Sequence, residues 1–276
     1  MRVHRVWRAD IVSFGRVVFT RWAMDFAEGR MNGTYSRFVS AFRGAVSLSL
    51  FCLFGVGALC ISPLMLILRS PCRCQPIVRA TWRIAAWLFE ATGLIRVESS
   101  GLDSVRGSII VANHPSLIDV LLITVLTPRT LFVAKRGLLR NPFLAMIVRH
   151  TALPDDELLP DAAAPFLSDG WNVLIFPEGT RSPSPGVLRK FRRGAAQLAL
   201  RTGADIVCVG ILVSRALLGK MQKPWDMGSK RVVYSFVAAP PIKASLDPAR
   251  GLRPQAAELT AAIRSRIHGI ILEGEK

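Results

Sequence analysis

The chain has 276 residues, which is long enough for one domain with a sizeable core and an N-terminal appendage. It carries 36 Lys and Arg against 19 Asp and Glu, giving a formal charge of +17 and a pI of about 11. Such a charge indicates an anionic partner, while a mean hydropathy of +0.36 and 51% hydrophobic residues argue against a soluble nucleic-acid binder. The combination is typical of a membrane-surface protein. A basic background without functional meaning stays open as an alternative.

Residues 1–40 are rich in arginine with interspersed aromatic residues, and Arg8, Asp10 and Arg16 interrupt the apolar core that a secretory signal needs. The pattern predicts either a helix at the membrane interface or a disordered leader.

Residues 44–68 form a run of 25 residues without a charge, long enough as a helix for a hydrocarbon core of roughly 30 Å. Arginines flank the run on both sides, so they give no clear orientation. Gly55, Gly57 and Pro63 are residues that can break a helix, and a hairpin that enters and leaves the same leaflet fits the arginines on both sides. The mode of attachment, transmembrane helix or re-entrant hairpin, stays open. The alternative is a buried core helix. Residues 82–94 continue with an apolar, aromatic-rich face that we expect to pack at the membrane surface.

The five cysteines lack the usual spacing of zinc ligands, and their odd number gives no disulfide framework. We therefore expect reduced thiols, no metal site and no cofactor.

From residue 96 onward, short β-type runs alternate with helical ones, as in an α/β sheet. We predict a mostly parallel central sheet flanked by helices, with residues 1–95 as a membrane-anchoring segment and residues 96–276 as the main domain. The predicted strands are residues 108–112, 130–134, 172–176, 205–213 and 231–238. The predicted helices are residues 117–126, 141–149, 161–168, 191–202 and 254–272. Gly203 is the expected C-cap of the fourth helix, and Leu259, Ile263, Ile267 and Ile270 are the expected core face of the last.

One motif places a histidine at the end of an apolar strand, because Pro115 disfavours a helical conformation at His114. Ser116 is the expected N-cap of the next helix, with Asp119 in its first turn. Asp119 then reaches one ring nitrogen of His114 and leaves the other free to take a proton.

The second motif, Phe-Pro-Glu-Gly-Thr-Arg-Ser at residues 176–182, ends another apolar strand. At the tip of a parallel strand, Glu178 and Arg181 would share a sheet edge with His114. Arg181 offers a planar fork of donors for a phosphate, Gly179 permits close backbone approach, and Glu178 accepts from a hydroxyl or locks Arg181. A turn stabilised by an internal Glu–Arg pair is the structural alternative.

Together, N-H-x-x-x-x-D and F-P-E-G-T-R-S resemble the glycerolipid acyltransferase family typified by lysophosphatidate acyltransferase, over roughly residues 101–210. The resemblance implies that His114 and Asp119 are catalytic, and that the acyl thioester is attacked directly, without a covalent acyl-enzyme. It also implies that Glu178, Gly179, Thr180 and Arg181 bind a glycerol-phosphate acceptor. Lys135 stands at the family's basic position in its second block; a solvated surface lysine is the alternative.

Two blocks depart from the family pattern. Residues 153–156 read Leu-Pro-Asp-Asp where the family's second block commonly ends in an arginine, and residues 205–208 lack the prolines of its fourth block. The catalytic half is intact while the acceptor-recognising half is altered.

We therefore expect a membrane-associated O-acyltransferase that uses acyl-CoA or acyl-carrier protein to esterify a lysophospholipid such as 1-acyl-glycerol-3-phosphate. Its expected partners are membrane lipids, the acceptor and the acyl donor, with no nucleic acid. Its expected place is the inner membrane, with the catalytic domain on the cytoplasmic side. The alternatives are the same chemistry on a non-glycerophosphate acceptor, and a non-catalytic membrane-surface binding protein.

Overall fold

An eight-stranded sheet forms the centre of the computed structural model, which describes residues 4–5, 33–140, 145–215, 219, 222–223 and 225–274. Most of the predicted N-terminal leader, including Trp7, Phe14, Phe19, Trp22 and Phe26, lies outside the described residues. The strands are β1 (His4–Arg5), β2 (Ile95–Ser100), β3 (Ile109–Ala112), β4 (Thr130–Ala134), β5 (Ala152–Pro154), β6 (Asn172–Ile175), β7 (Ile206–Val213) and β8 (Val232–Ala238).

Seven α-helices accompany the sheet in the described part of the chain. They are α1 (Gly33–Leu68), α2 (Pro71–Ala91), α3 (Asp119–Leu126), α4 (Ala145–Thr151), α5 (Leu159–Ser168), α6 (Gly194–Thr202) and α7 (Leu252–Gly274). A 3₁₀ helix, Arg136–Arg140, follows β4.

The strand order is β1-β2-β8-β7-β3-β6-β4-β5, and the five strands from β7 to β5 are mutually parallel. β8 runs antiparallel to β7, β2 runs parallel to β8, and β1 closes the edge antiparallel to β2. The predicted fold class, a mostly parallel sheet flanked by helices, is confirmed. The turns that follow β3, β6 and β4 meet at one edge of the sheet, which is where open α/β sheets bind ligands.

The central strands are buried on both faces because their side chains alternate between two hydrophobic clusters. Ile110 and Leu174 belong to the cluster shared with α1, α2 and α3. Ile109 and Val173 belong to the cluster shared with α5, α6 and α7. All four residues of β3 are buried, so the strand that leads to His114 is held firmly from both sides.

α1 runs unbroken through Gly55, Gly57 and Pro63, so of the two modes left open for residues 44–68 the hairpin is wrong. Packing of one face of α1 against α2 keeps the helix intact on either side of Pro63, with Ala58 and Met65 buried. The chain reverses afterwards, at Arg69, whose φ is 51°.

By length and composition, Arg37–Leu68 is able to cross a membrane: its mean hydropathy reaches 2.4, and only 11% of the most apolar window is buried. The outer face of α1 exposes large apolar side chains, among them Phe38, Leu53, Val56 and Ile67. This is the membrane-compatible helix that the sequence predicts.

The prediction that residues 82–94 pack their aromatic face at the membrane surface is wrong. α2 packs that face on the sheet. Trp82 and Phe89 are each 4% exposed, and the Trp82 ring lies 6.0 Å from that of Phe132. Ile84 and Trp87 remain exposed on the opposite face of the helix. The division predicted at residues 95 and 96 stays a prediction, although α2 contributes to the same core as the sheet.

Candidate active site

His114 follows β3 at the edge of the sheet where parallel strands end. The neighbouring residue, Asn113, is buried and fastens this turn to β7: its Nδ2 donates to the carbonyl of Ile211 at 2.9 Å, and its Oδ1 accepts from the Ile211 amide at 2.7 Å. The His114 ring stacks on that of Phe176 with centroids 4.2 Å apart. The imidazole is therefore held in place by residues of two neighbouring strands.

The structure brings His114 and Asp119 together, as predicted. The Nδ1 atom of His114 lies 2.9 Å from Oδ2 of Asp119, and the same carboxylate oxygen accepts from the Ser116 amide at 2.7 Å. The Asp119 side chain is fully buried, whereas that of His114 is 16% exposed. With Nδ1–H donating to the carboxylate, Nε2 is left as a proton acceptor.

The Asp119 carboxylate has an unfavourable environment for its charge. Burial raises the pKa of Asp119, while interactions with His114 and with the amide and hydroxyl of Ser116 oppose that rise. Its other oxygen, Oδ1, is buried without a hydrogen-bond partner among the described residues. The carboxylate is thus oriented at some cost in stability, which is common where geometry serves function.

The prediction that Ser116 is the N-cap of α3 is wrong. The helix begins at Asp119 after the cap residue Ile118, because residues 116–118 form a separate turn. In that turn the Ser116 hydroxyl accepts from the Ile118 amide at 3.2 Å, and from the hydroxyl of Tyr234 in β8 at 2.9 Å.

Glu178, in the turn after β6, joins that turn to the histidine turn. Its Oε1 accepts from the His114 amide at 3.1 Å and from the Ser182 hydroxyl at 2.7 Å, and its Oε2 accepts from the Arg189 amide at 2.9 Å. The Ser182 amide in turn donates to the His114 carbonyl at 2.7 Å. Only 5% of Glu178 is exposed, so both of its oxygens are committed to protein donors.

Arg181 lies on the same turn but does not pair with Glu178 among the ion pairs of the described residues. Its Nη1 donates to the Gly219 carbonyl at 2.9 Å, and its own carbonyl accepts from Nε of Arg189 at 3.2 Å. The structural alternative of an internal Glu–Arg pair is therefore wrong for this turn. Arg181 is held instead by a neighbouring loop.

Position 179 requires glycine for two reasons. Its φ is 65°, a conformation that residues with a Cβ rarely adopt, and a Cβ there would meet Nε of Arg192 at 2.9 Å. The Arg192 amide donates to the Pro177 carbonyl at 2.8 Å, which seats the arginine over this turn. Thr180, like Arg181, is partly exposed beside it.

Lys135 is exposed at the end of β4, on the same edge of the sheet. Its neighbour Arg136 pairs with Asp156 at 2.8 Å. Asp156 belongs to the segment that departs from the family pattern, so here a carboxylate binds an arginine of the second block.

The sequence of this domain is similar to that of known acyltransferases. Residues 95–212 match the family model described as Acyltransferase. Over 137 residues the chain is 31% identical to a 1-acyl-sn-glycerol-3-phosphate acyltransferase of Cocos nucifera, covering 46% of this chain and 43% of that one. Over 160 residues it is 31% identical to one of Pseudomonas aeruginosa, covering 51% and 59%. The chain thus spans about half the length of the curated relatives it matches.

A solved structure shares the fold. The crystal structure of the 1-acyl-sn-glycerophosphate acyltransferase from Thermotoga maritima matches with a TM-score of 0.64 at 20% identity, covering 84% of this chain and 97% of that one.

Proposed function

We propose that this protein moves a fatty acyl group to the hydroxyl of a lysophospholipid. The proposal is supported by the match of residues 95–212 to the acyltransferase family model and by the similarity to 1-acyl-sn-glycerol-3-phosphate acyltransferases. The donor is acyl-CoA or acyl-carrier protein, and the acceptor is 1-acyl-glycerol-3-phosphate or a close relative. The observation that carries the proposal is the 2.9 Å contact between His114 and a fully buried Asp119 at the carboxyl end of a central strand.

His114 acts as the general base in this reaction. Its Nε2 takes the proton from the acceptor hydroxyl as the hydroxyl oxygen attacks the carbonyl carbon of the thioester. A tetrahedral intermediate forms, the carbon–sulfur bond breaks, and the thiol leaves with a proton returned from the imidazolium. Asp119 fixes the tautomer and stabilises the imidazolium, and the reaction as written uses no cofactor.

The acceptor phosphate is bound by Arg181 with the help of Gly179, Thr180 and Lys135. Arg181 carries its planar guanidinium on the turn next to the histidine, and the positive φ of Gly179 gives that turn its shape. Glu178 contributes indirectly, because its oxygens already accept from His114, Ser182 and Arg189. It positions the base relative to the phosphate-binding turn.

The donor's phosphates meet a basic cluster at the start of α6, which consists of Arg189, Lys190, Arg192 and Arg193. Coenzyme A and the phosphopantetheine arm of an acyl-carrier protein both carry phosphate, and a carrier protein adds an acidic surface. The exposed apolar face of α1 supports attachment to a membrane. We propose that this is the inner membrane, with the domain on the cytoplasmic side.

One feature of the chain favours a second class of acceptor, a lipid alcohol other than a glycerophosphate. Asp156 pairs with Arg136 in the segment where the family commonly places an arginine. That substitution favours the same chemistry on an acceptor other than a glycerophosphate.

The experiment supplies labelled acyl-CoA and acyl-carrier protein with a panel of lysophospholipids and non-phosphate lipid alcohols. Loss of the general base in His114→Ala should lower kcat by about 10²–10⁴-fold. His268→Ala is the matched control, since His268 is exposed on α7 far along the chain. A wild-type protein that transfers nothing to any acceptor would favour the non-catalytic binding protein instead.

Direct transfer predicts that no acyl-enzyme accumulates when donor is supplied without acceptor. Mass spectrometry of the intact protein after such an incubation should show the unmodified mass. An acyl ester or thioester on the chain would replace the direct mechanism with a covalent one.

A further inference from the structure

A tyrosine far from the two motifs in sequence contacts the catalytic turn. Tyr234 lies in β8, which is separated from β3 by β7, and its side chain is fully buried. Its hydroxyl donates to the Ser116 hydroxyl at 2.9 Å. Ser116 is also fully buried, so this hydrogen bond is shielded from bulk water.

The contact continues to the carboxylate. Ser116 donates its amide to Oδ2 of Asp119 at 2.7 Å, and Oδ2 lies 2.9 Å from Nδ1 of His114. A chain of hydrogen bonds therefore runs from Tyr234 through Ser116 and Asp119 to the base. Because each link is short and buried, displacement of Ser116 would be transmitted to the carboxylate.

We propose that Tyr234 is a positioning residue for the acyl transfer: its hydroxyl holds the Ser116 turn, which aligns Asp119 with His114. The inference rests on the proposed function. Burial and the neighbouring Asp119 carboxylate raise the pKa of the Tyr234 hydroxyl well above its usual range, so it remains a donor at any working pH. Like Ser116, it serves the base without touching either substrate.

The ring of Tyr234 also has a structural role in packing. The test must separate that role from the role of the hydroxyl. The ring packs beside the Phe236 ring at a centroid distance of 6.3 Å, within the core cluster of α1–α3. Tyr234→Phe retains this packing and removes only the hydroxyl. Phe236→Leu is the matched control, because it perturbs the same core without removing a hydrogen bond.

The first readout is independent of turnover. In ¹⁵N-histidine-labelled full-length protein, the Nδ1-bound proton of His114 is identified by its absence from His114→Ala. We expect its exchange with water to be at least about tenfold faster in Tyr234→Phe, since the Asp119 contact opens more often. Phe236→Leu should leave the exchange rate as in the wild type.

The second readout is the division between kcat and KM. Tyr234→Phe should lower kcat by roughly tenfold with the acceptor KM unchanged, because a misaligned base slows chemistry rather than binding. Ser116→Ala should have a similar effect, and the double variant should add little to it.

Unchanged proton exchange in Tyr234→Phe, or equally fast exchange in Phe236→Leu, overturns the proposal. If the wild type transfers no acyl group, the proposed function fails, while proton exchange still decides whether Tyr234 positions the dyad.

Discussion

Asp119 is fully buried, and that burial disfavours the charge of its carboxylate. Its orientation of His114 depends on a carboxylate that accepts from both Nδ1 and the Ser116 amide. In Asp119→Asn the amide no longer stabilises the imidazolium and permits the wrong tautomer. We expect kcat to fall by about 10²–10⁴-fold with little change in the acceptor KM, as measured by steady-state kinetics.

The same substitution should increase stability. Burial raises the pKa of Asp119, so between its unfolded and folded values the native state holds more protons than the unfolded state, and the free energy of unfolding falls as pH rises. A neutral amide at this position avoids that loss. We expect Asp119→Asn to unfold at a higher temperature than the wild type at about pH 7.5, with the difference shrinking toward about pH 4. A clearly lower Tm at the higher pH would mean that the carboxylate is a net stabiliser.

Arg181 tests the phosphate assignment. Arg181→Lys replaces a planar fork by a point charge and should raise the acceptor KM by roughly tenfold while changing kcat less. Arg201→Lys, at an exposed position in the last turn of α6, should change neither. An acceptor KM that stays constant would show that Arg181 serves the loop at Gly219 instead of the substrate.

Residue spacing predicts the His114–Asp119 pair, because a separation of five residues places the two side chains on either side of one turn. The contact between Glu178 and the His114 amide was not predictable, since these residues meet only when β3 and β6 are neighbours. Nothing in the sequence indicated that Tyr234 contacts the turn of Ser116. A hydroxyl at the end of a core ring has the same sequence pattern as ordinary strand packing.

Among the elements, α1 is fastened to the domain by an arginine that directly precedes its longest apolar stretch. Arg43 is 8% exposed and donates to four carbonyls, those of Gly93, Leu94, Gly228 and Lys230, at 3.0–3.2 Å. Two of these carbonyls lie at the start of β2 and the other two just before β8. The helix therefore has a fixed direction relative to the sheet.

Removing this contact should loosen α1. Arg43→Ala removes four hydrogen bonds from a charged donor and should cost about 2–4 kcal/mol, because bonds to charged groups are the stronger ones. We expect a lower Tm and faster proteolysis between α1 and α2. Arg37→Ala, exposed on the same helix, is the control. Equal stability of the two variants would mean that packing alone holds α1.

Regular patterns predicted most elements well and irregular ones poorly. β4 and the C-cap at Gly203 were predicted as observed, because a short, mostly apolar run and a left-handed glycine are local signals. β2 and β5 were missed, since β2 mixes polar residues into a strand that borders the edge and β5 has three residues. In α7, Ile271 rather than Ile270 completes the buried face.

For the molecule as a whole, α1 and α2 are antiparallel neighbours, which constrains how α1 meets a membrane. Cys74 contacts the Met65 carbonyl and Phe89 contacts Phe51, so Arg83 of α2 lies at about the level of Gly57. If α1 crossed a bilayer upright, Arg83 would lie near its midplane, at a cost of about 3 kcal/mol. We therefore expect α1 to lie along the membrane surface with its outer face in the lipid.

Cysteine labelling separates the two arrangements. With Cys52, Cys60 and Cys72 replaced by serine, Arg37→Cys and Ser70→Cys mark the two ends of α1, and Ser245→Cys marks the domain. In sealed vesicles an impermeant maleimide should label all three from the same side. Labelling of residues 37 and 70 from opposite sides would establish a crossing helix.

Apolar contact also predicts retention in high salt. Electrostatic attraction to lipid is screened at about 1 M salt, whereas burial of the outer face of α1 is not. The protein should remain with sedimented membranes after such a wash. Release into the supernatant would reduce the attachment to charge alone.

The carboxylate of Glu178 limits how such an enzyme can be redesigned. Glu178 connects the turn that we propose binds the acceptor to the backbone of His114, the proposed base. Acceptor binding and base position would therefore depend on the same carboxylate. Altered acceptor choice can be sought at Arg181 or in residues 153–156, whose side chains lie outside this junction. Changes at Glu178 or Ser182 would instead disturb every acceptor alike, and a selection for new specificity should leave both residues untouched.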